Sequence, residues 1–211
     1  KLADKGYKLI VTVDNGISAI EEADLAAELG IELVITDHHL PAQQMPKDVA
    51  VVDPKREDDT SPFKDLCGAG VAFKLCAALE GCEDPAELLE PFGELAALGT
   101  IADVMPLVGE NRTIVKEGLA TLQDTLRPGL QALLENAGYA GRPVTAETVS
   151  YGLAPRLNAA GRMDTAAVAL KLLLCENEEQ AAGIAARLSE INTSRQQAEQ
   201  QIAAAALEKL S

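Results

Sequence analysis

The sequence of 211 residues is poor in aromatic and basic side chains. It has no tryptophan, three phenylalanines and three tyrosines, so a core must come from the aliphatic residues that dominate its 47% apolar content. No apolar run reaches the roughly 20 residues of a membrane span, and no signal peptide opens the chain. These absences predict a cytoplasmic globular protein without membrane contact.

Cysteine is also scarce, with four residues in the whole chain, Cys67, Cys76, Cys82 and Cys175. Their spacing lacks the CxxC pairs of a zinc site, and their density is too low for a disulfide scaffold. The sequence therefore predicts free thiols.

Positive charge is short as well, because 18 Lys and Arg residues face 33 Asp and Glu residues, for a formal net charge of −15. Non-specific nucleic-acid binding depends on Lys and Arg, so this balance argues against a broad phosphate-binding surface. A polyanionic ligand would have to be held locally, with a divalent metal ion supplying much of the positive charge.

The first quarter of the chain has the pattern of a βαβ unit. Apolar, β-branched runs predict strands at 8–13, 31–36 and 50–52, and a helix is expected at 18–29, with Ser18 and Glu21 forming a capping box. Strand, helix and strand with short connections predict a parallel sheet.

Helical patterns dominate the rest of the chain. A long helix of about 30 residues is expected from Glu178 onward, because its apolar residues keep a helical period. A turn is expected at 160–162. The other predicted helical segments are 71–79, 85–98, 111–122, 129–136, 146–151 and 165–175. The fold class is thus α/β, a parallel sheet flanked by helices, then a helical region and a long C-terminal connecting helix.

The only two histidines of the chain, His38 and His39, lie side by side behind Asp37 at the end of a predicted strand. Asp14 ends the preceding strand, and ligands of parallel sheets bind beyond the carboxyl ends of strands. Carboxylates with one or two imidazoles suit Mn²⁺, Mg²⁺ or Fe²⁺ better than a thiolate-seeking metal. The alternative is a plain turn at Asp14-Asn15-Gly16 and structural histidines.

Four further motifs accompany the DHH triplet in order, VDNG, CGAGVAFKL, LGTIADVMPL and APRLNAAGRM. Together they resemble the DHH phosphoesterase superfamily, and within it the RecJ branch of single-stranded-DNA-specific 5′→3′ exonucleases of DNA repair and recombination. The resemblance runs over nearly the whole chain. It implies phosphodiester hydrolysis with two Mn²⁺ or Mg²⁺ ions, a DHH domain over 1–175 (βαβ part 7–55, helical part 68–175), and a helix over 176–211 that leads to a second catalytic domain.

The resemblance also implies a role for each site residue. Asp14 matches a bridging metal ligand, His38 the ligand of the second metal, and Asp103 a later aspartate ligand. His39 matches the histidine nearer the scissile phosphate, as a ligand or hydrogen-bond donor. Asp37 would orient a histidine or support the loop.

Residues outside this group have weaker assignments. Arg162 could hold a DNA phosphate in bidentate fashion with Asn158 donating beside it and Arg156 as a further member, although Arg162 could equally cap or pair with the next helix. Gly68-Ala69-Gly70 could offer backbone N–H groups to a phosphate, but close helix packing is preferred. For Asp53, a strand-end turn is preferred.

The family's Asp-x-Asp-Gly motif before Asp14, its second domain and an OB-type module are not visible in this chain. We therefore expect a fragment of a RecJ-like catalytic core that acts on single-stranded DNA and is nearly inactive alone. We expect it to be monomeric, with a single-strand-binding protein or a helicase as its partners. The alternatives are a DHH enzyme acting on nanoRNA, cyclic dinucleotides or adenosine bisphosphate, and a non-catalytic RecJ-like replication scaffold.

Overall fold

The chain, in a computed structural model that describes residues 1–163 and 165–210, forms two compact units. The first is Lys1–Gly118 and the second Leu119–Ser211. Within the described residues, no helix combines the length and the apolar character needed to cross a membrane. The division predicted at residue 175 stays a prediction, and its last residue, Ser211, lies outside the described residues.

A three-stranded parallel sheet organises the first unit. Its strands are β1 (Leu9–Val13), β2 (Glu32–Thr36) and β3 (Ala50–Val52), paired in the order β1-β2-β3. Helix α1 (Ile20–Glu28) connects β1 to β2. The predicted parallel βαβ unit is confirmed, and all three strands end on the same edge of the sheet.

The start of α1 differs from the expected capping box. The helix begins at Ile20, Ala19 occupies the N-cap, and no side chain caps it. Because the N–H of Ile17 donates to the Asp37 carboxylate and the N–H of Ala19 donates to the Gly16 carbonyl, Ser18 lies within a turn. A long-range hydrogen bond thus overrides the local capping signal.

Helices complete the first unit around a small apolar core. They are α2 (Gly68–Glu80), a 3-10 turn (Pro85–Leu88), α3 (Leu89–Ala102) and the beginning of α4 (Gly109–Gln123). Helix α2 starts three residues earlier than its pattern predicted, because Cys67 caps it by accepting from the Gly70 N–H. The core residues are Leu66, Val71, Phe73, Ala77, Leu88, Ala96 and Ile114.

The second unit is helical. It contains α5 (Pro128–Asn136), a π-helical stretch (Thr148–Leu153), α6 (Ala154–Met163), α7 (Ala166–Leu173) and α8 (Glu178–Leu210). Helix α8 has 33 residues, so the long helix predicted from Glu178 is confirmed. The fully buried side chains of the second unit include Leu130, Leu133, Leu153, Leu172 and Leu188.

The expected turn at 160–162 is wrong, because LNAAGRM lies within α6. Ala159 and Ala160 are fully buried, and alanine is the strongest helix former. A Cβ at Gly161 would meet only Ala166, at 3.9 Å. The two buried alanines therefore pack as part of a continuous helix, whereas Gly161 is not required by close packing.

Candidate metal centre

The carboxyl edge of the sheet brings Asp14 and the Asp-His-His triplet together. Asp14 follows β1 and adopts a left-handed backbone, with φ of 64°, while its N–H donates to the Thr36 carbonyl at 3.0 Å. A positive φ is uncommon for a residue with a side chain, although aspartate tolerates it better than most. The parallel pairing of β1 with β2 then sets Asp14 beside His38.

His38 lies between two carboxylates. Its Nε2 is 2.8 Å from Oδ1 of Asp14 and 3.5 Å from Oδ2 of Asp103. The imidazole is nearly buried, whereas about half of each carboxylate side chain remains exposed. One potential ligand atom from each of Asp14, His38 and His39 also lies within 4.8 Å of the others. The sequence prediction that Asp14, His38 and Asp103 share a site therefore has a geometric basis.

The spacing of these atoms fits a hard divalent cation. Two ligands at right angles, each about 2.1 Å from such an ion, are about 3.0 Å apart, close to the 2.8 Å between His38 Nε2 and Asp14 Oδ1. Two carboxylates and one imidazole are donors that suit Mn²⁺ or Mg²⁺. Exposure on the carboxylate side also leaves room for water or substrate.

Asp37 holds the backbone of the Asp-His-His triplet through hydrogen bonds to its buried carboxylate. Its side chain is fully buried and accepts hydrogen bonds from the N–H groups of Ile17, His38 and His39, at 3.0, 2.8 and 3.3 Å. Its Oδ1 also lies 2.7 Å from Nδ1 of His39. Burial alone would raise the pKa of Asp37, but the hydrogen bonds from Ile17 and from His39 and His38 outweigh burial and lower it.

His39 is therefore the histidine that Asp37 orients. The side chain of His39 is 61% exposed, and the hydrogen bond to Asp37 raises its pKa against the opposing effect of burial. The negative charges of Asp37, Asp14 and Asp103 raise that pKa further. With Nδ1 held by Asp37, the free edge of the ring is Nε2, which can donate to an anionic ligand.

Asp103 comes to the site from a helix end rather than from a strand. It caps the C-terminus of α3, and the next residue, Val104, has φ of 56°. Met105 N–H donates to the Thr100 carbonyl across this turn at 3.1 Å. A β-branched residue in the left-handed region costs of order 1–3 kcal/mol and often marks a functional site. The strain turns the chain directly beyond Asp103.

Gly68 shapes the site in a way that the sequence did not predict. A Cβ built on Gly68 would lie 2.5 Å from Cγ and from Oδ1 of Asp14. The first turn of α2 therefore touches the Asp14 carboxylate, and only glycine leaves room there. The preferred interpretation, close packing at the glycines, agrees with this contact, but the partner is a site residue rather than another helix.

Two sets of contacts connect the start of α2 and the segment before it with α3 and the segment after Asp103. The Sγ of Cys67 lies 3.5 Å from Oγ1 of Thr100, which in turn donates to the Ala96 carbonyl. The Nδ2 of Asn111 donates to the carbonyls of Asp65 and Pro106, at 2.6 and 3.0 Å. The segments before Gly68 and after Asp103 are thus tied to each other within the first unit.

Asp53 follows β3 at the same sheet edge and is 1% exposed. Its Oδ1 accepts from the Lys55 N–H at 2.8 Å, as the expected strand-end turn requires. Burial raises the pKa of Asp53, the Lys55 N–H lowers it, and the charge of Asp37 raises it further. A turn residue needs no such burial, so the turn does not account for all of its environment.

The remaining predicted site residues belong to the second unit. Asn158 and Arg162 are exposed and four residues apart on α6, so they share one helix face. Arg156 is half-buried, and its guanidinium donates to Oγ of Ser189 at 2.9 Å and to the Gly152 carbonyl at 2.6 Å. Arg156 therefore connects α6 with α8 within this unit.

Comparisons with known proteins agree on one family. Residues 2–100 match the model of the DHH family, N-terminal domain. The single-stranded-DNA-specific exonuclease RecJ of Bacillus subtilis (strain 168) is 47% identical over 195 residues, which are 92% of this chain and 24% of that protein. This chain thus spans about a quarter of the length of that relative.

Solved structures show the same likeness. RecJ of Thermus thermophilus in complex with Mn²⁺ matches with a TM-score of 0.81 and 38% identity, over 95% of this chain and 30% of that one; its Mg²⁺ complex matches with 0.65 and 34%, over 95% and 34%. An exonuclease RecJ bound to manganese matches with 0.82 and 39%, over 95% and 51%. On these grounds, residues 2–100, which carry the DHH triplet at the sheet edge, match the DHH family, and the chain is similar to the RecJ proteins.

Proposed function

We propose that this chain forms the metal-binding part of a RecJ-like single-stranded-DNA exonuclease. The observation that carries the proposal is the approach of the Asp14 and Asp103 carboxylates to Nε2 of His38, at 2.8 and 3.5 Å. The RecJ relatives are described as single-stranded-DNA-specific exonucleases and hold Mn²⁺ or Mg²⁺ in their structures.

Each residue of the cluster has a task in phosphodiester hydrolysis. Asp14, His38 and Asp103 would hold a Mn²⁺ or Mg²⁺ ion. When bound, that ion supplies Lewis-acid polarisation of a phosphate oxygen and lowers the pKa of water. His39, whose pKa Asp37 raises, is positioned to donate a hydrogen bond from Nε2 to a phosphate oxygen and to stabilise charge that develops there.

Substrate contacts beyond the reacting phosphate would come from α6. Arg162 and Asn158 project from one exposed helix face, and a guanidinium can grip a phosphate in bidentate fashion. Arg156 contributes less in this proposal, because its donors are committed to Ser189 and Gly152. The formal charge of −15 means that such grips must be local.

Metal binding to the 211-residue chain tests the proposal directly. Titration with Mn²⁺, followed by electron paramagnetic resonance of the free ion, should show saturable binding to the parent protein. His38→Ala and Asp103→Asn should each weaken that binding by about 10-fold or more, because the first removes an imidazole donor and the second replaces a carboxylate with a neutral amide. Asp24→Asn is the matched control, since Asp24 is an exposed carboxylate on α1 outside the cluster, and its affinity should equal that of the parent.

Hydrolysis of a 5′-labelled single-stranded oligonucleotide is the second measurement. Because the chain spans 24% of the B. subtilis relative, we expect the chain alone to be nearly inactive even when it binds Mn²⁺. Equal Mn²⁺ affinity of the parent, His38→Ala and Asp24→Asn proteins would refute the metal centre. Robust Mn²⁺-dependent digestion by the 211 residues would instead contradict the expected low activity.

A further inference from the structure

Two buried polar atoms beside the metal cluster have no hydrogen-bond partner among the described residues. They are Nδ1 of His38 and Oδ2 of Asp53. His38 is 5% exposed and Asp53 1%, so bulk water does not solvate either group well. Leaving a buried donor or acceptor without a partner is unfavourable, and two such atoms at one edge of the sheet call for a common explanation.

The sheet brings these two residues to adjacent positions. Thr36 pairs with Val52 in the parallel register of β2 and β3, and the Asp37 N–H continues the ladder by donating to the Val52 carbonyl at 3.0 Å. Asp53 therefore lies opposite Asp37, directly after the neighbouring strand, and His38 is the next residue of its own segment.

Other acceptors near His38 are already engaged. Oδ2 of Asp37 accepts from Ile17, and its Oδ1 accepts from the His38 and His39 N–H groups and contacts the His39 ring. Asp14 and Asp103 lie at Nε2, on the other edge of the imidazole. The turn formed by Asp53 occupies only its Oδ1, which leaves Oδ2 available to Nδ1.

We propose that Asp53 is the positioning residue of His38, accepting a hydrogen bond that its Nδ1–H relays through one buried water. A metal-binding histidine commonly donates its second ring N–H to a carboxylate, which fixes the tautomer and leaves the other nitrogen with a lone pair for the ion. Asp53 thereby favours the proton on Nδ1, which leaves the Nε2 lone pair for a metal ion bound together with Asp14 and Asp103. The inference rests on the proposed metal function.

Asp53→Asn is the substitution that isolates this role. Asparagine keeps the volume and the Oδ1 that accepts from Lys55, but it replaces Oδ2 with an NH₂ donor. A donor facing Nδ1 favours the tautomer with its proton on Nε2, which blocks the metal. Asp84→Asn is the control, because Asp84 forms a similar turn contact, accepting from the Ala86 N–H at 2.9 Å, on an exposed loop outside the cluster.

Two readouts separate this proposal from the metal function itself. In the first, Mn²⁺ affinity should fall by about 10- to 100-fold in Asp53→Asn and stay unchanged in Asp84→Asn. In the second, long-range ¹H–¹⁵N spectra of the metal-free protein at pH 8 report the tautomer of His38. The chain has only two histidines, so His39→Ala assigns the signals. The share of His38 with its proton on Nδ1 should fall in Asp53→Asn.

Each outcome decides something. Weakened Mn²⁺ binding together with the tautomer shift supports the proposal. An unchanged tautomer overturns it, as does parental Mn²⁺ affinity in a folded Asp53→Asn protein. Absence of Mn²⁺ binding by the parent removes the proposed metal function, and the tautomer comparison then still decides whether Asp53 controls His38. If Asp53→Asn does not fold, Asp53→Ala is compared in the same way, with the same expected direction for both readouts.

Discussion

Replacement of Gly68 by alanine should weaken metal binding although no proposed ligand is replaced. In the structure, the added Cβ would lie 2.5 Å from Cγ and Oδ1 of Asp14. Ordinary contacts between carbon atoms are about 3.5–4.0 Å. The carboxylate and the first turn of α2 must therefore separate by about 1 Å.

The backbone around this contact leaves few ways to absorb the shift. Asp14 is held in a left-handed conformation, with its N–H bonded to Thr36. On the other side, the contact of Cys67 with Thr100 fixes the start of α2. Helix α3 also packs closely against α2 there, because a Cβ on Gly99 would clash with the Cβ of Ala69. Metal–ligand distances vary by only about 0.2 Å around their standard values, so a carboxylate displaced by about 1 Å should bind Mn²⁺ more than about 10-fold less tightly.

The assay is a Mn²⁺ titration of the parent, Gly68→Ala and a control, with thermal unfolding of each. Gly183→Ala is the control, because a Cβ on this residue of α8 would meet nothing within 4 Å. It should leave the affinity unchanged and stabilise the second unit by up to about 1 kcal/mol through helix propensity. Gly68→Ala should lose about 1–3 kcal/mol of stability through overpacking.

A folded Gly68→Ala protein that binds Mn²⁺ as tightly as the parent would refute the reasoning. That result would mean either that Asp14 is not a ligand or that its carboxylate can bind from a displaced position. Asp14→Ala separates the two explanations, since it should abolish binding only if Asp14 contributes a donor.

Three further predictions concern stability and substrate contacts. The hydrogen bond from Lys64, followed by those from Ser61, lowers the pKa of Asp59 from 3.8 to about 2. Asp59→Asn should therefore lower the free energy of unfolding at pH 7 by up to about 1 kcal/mol. In chemical denaturation, this difference from the parent should disappear as the pH falls from about 4 toward 2. Leu133→Ala should cost about 2–5 kcal/mol in the same assay, because Leu133 is fully buried, and should leave Mn²⁺ affinity unchanged. Arg156→Ala should destabilise the second unit by about 1–3 kcal/mol, whereas exposed Arg162→Ala should stay within about 0.5 kcal/mol and instead weaken single-stranded-DNA binding in a filter assay.

Much of the sheet and of its ligand edge could be predicted from the sequence. The β-branched runs before Asp14 and Asp37 are local signals, and parallel pairing follows from the short helix between them. The carboxyl ends of neighbouring strands meet by topology alone. Hence strand patterns and topology together suffice to assign Asp14 and His38 to one site.

The failures have a common physical cause, which is that long-range contacts override local patterns. Ser18 and Glu21 have the spacing of a capping box, but the hydrogen bond from Ile17 to Asp37 delays the helix to Ile20. Residues 160–162 have the composition of a turn, but burial of Ala160 selects a helix. In neither case can the long-range contact that decides the structure be identified from the sequence of the segment itself.

Gly68 and Asp53 show the same limit at the site. Nothing in CGAGVAFKL indicates that its first glycine lies against Asp14, far earlier in the chain, because that contact exists only once α2 packs at the sheet edge. Likewise, VVDPK has the pattern of a strand-end turn, and Oδ1 of Asp53 does form one. Its unpartnered Oδ2 becomes visible only when burial is known.

The candidate centre is assembled from the ends of regular elements, and this explains where its strain lies. Asp14 ends β1, His38 follows β2 and Asp103 ends α3, so each ligand is fixed on one side by a ladder or a helix. Two residues with a left-handed backbone, Asp14 and Val104, lie where the chain turns away from the site. Two carboxylates that approach one imidazole concentrate negative charge at this edge of the sheet, and a divalent cation bound there would neutralise it.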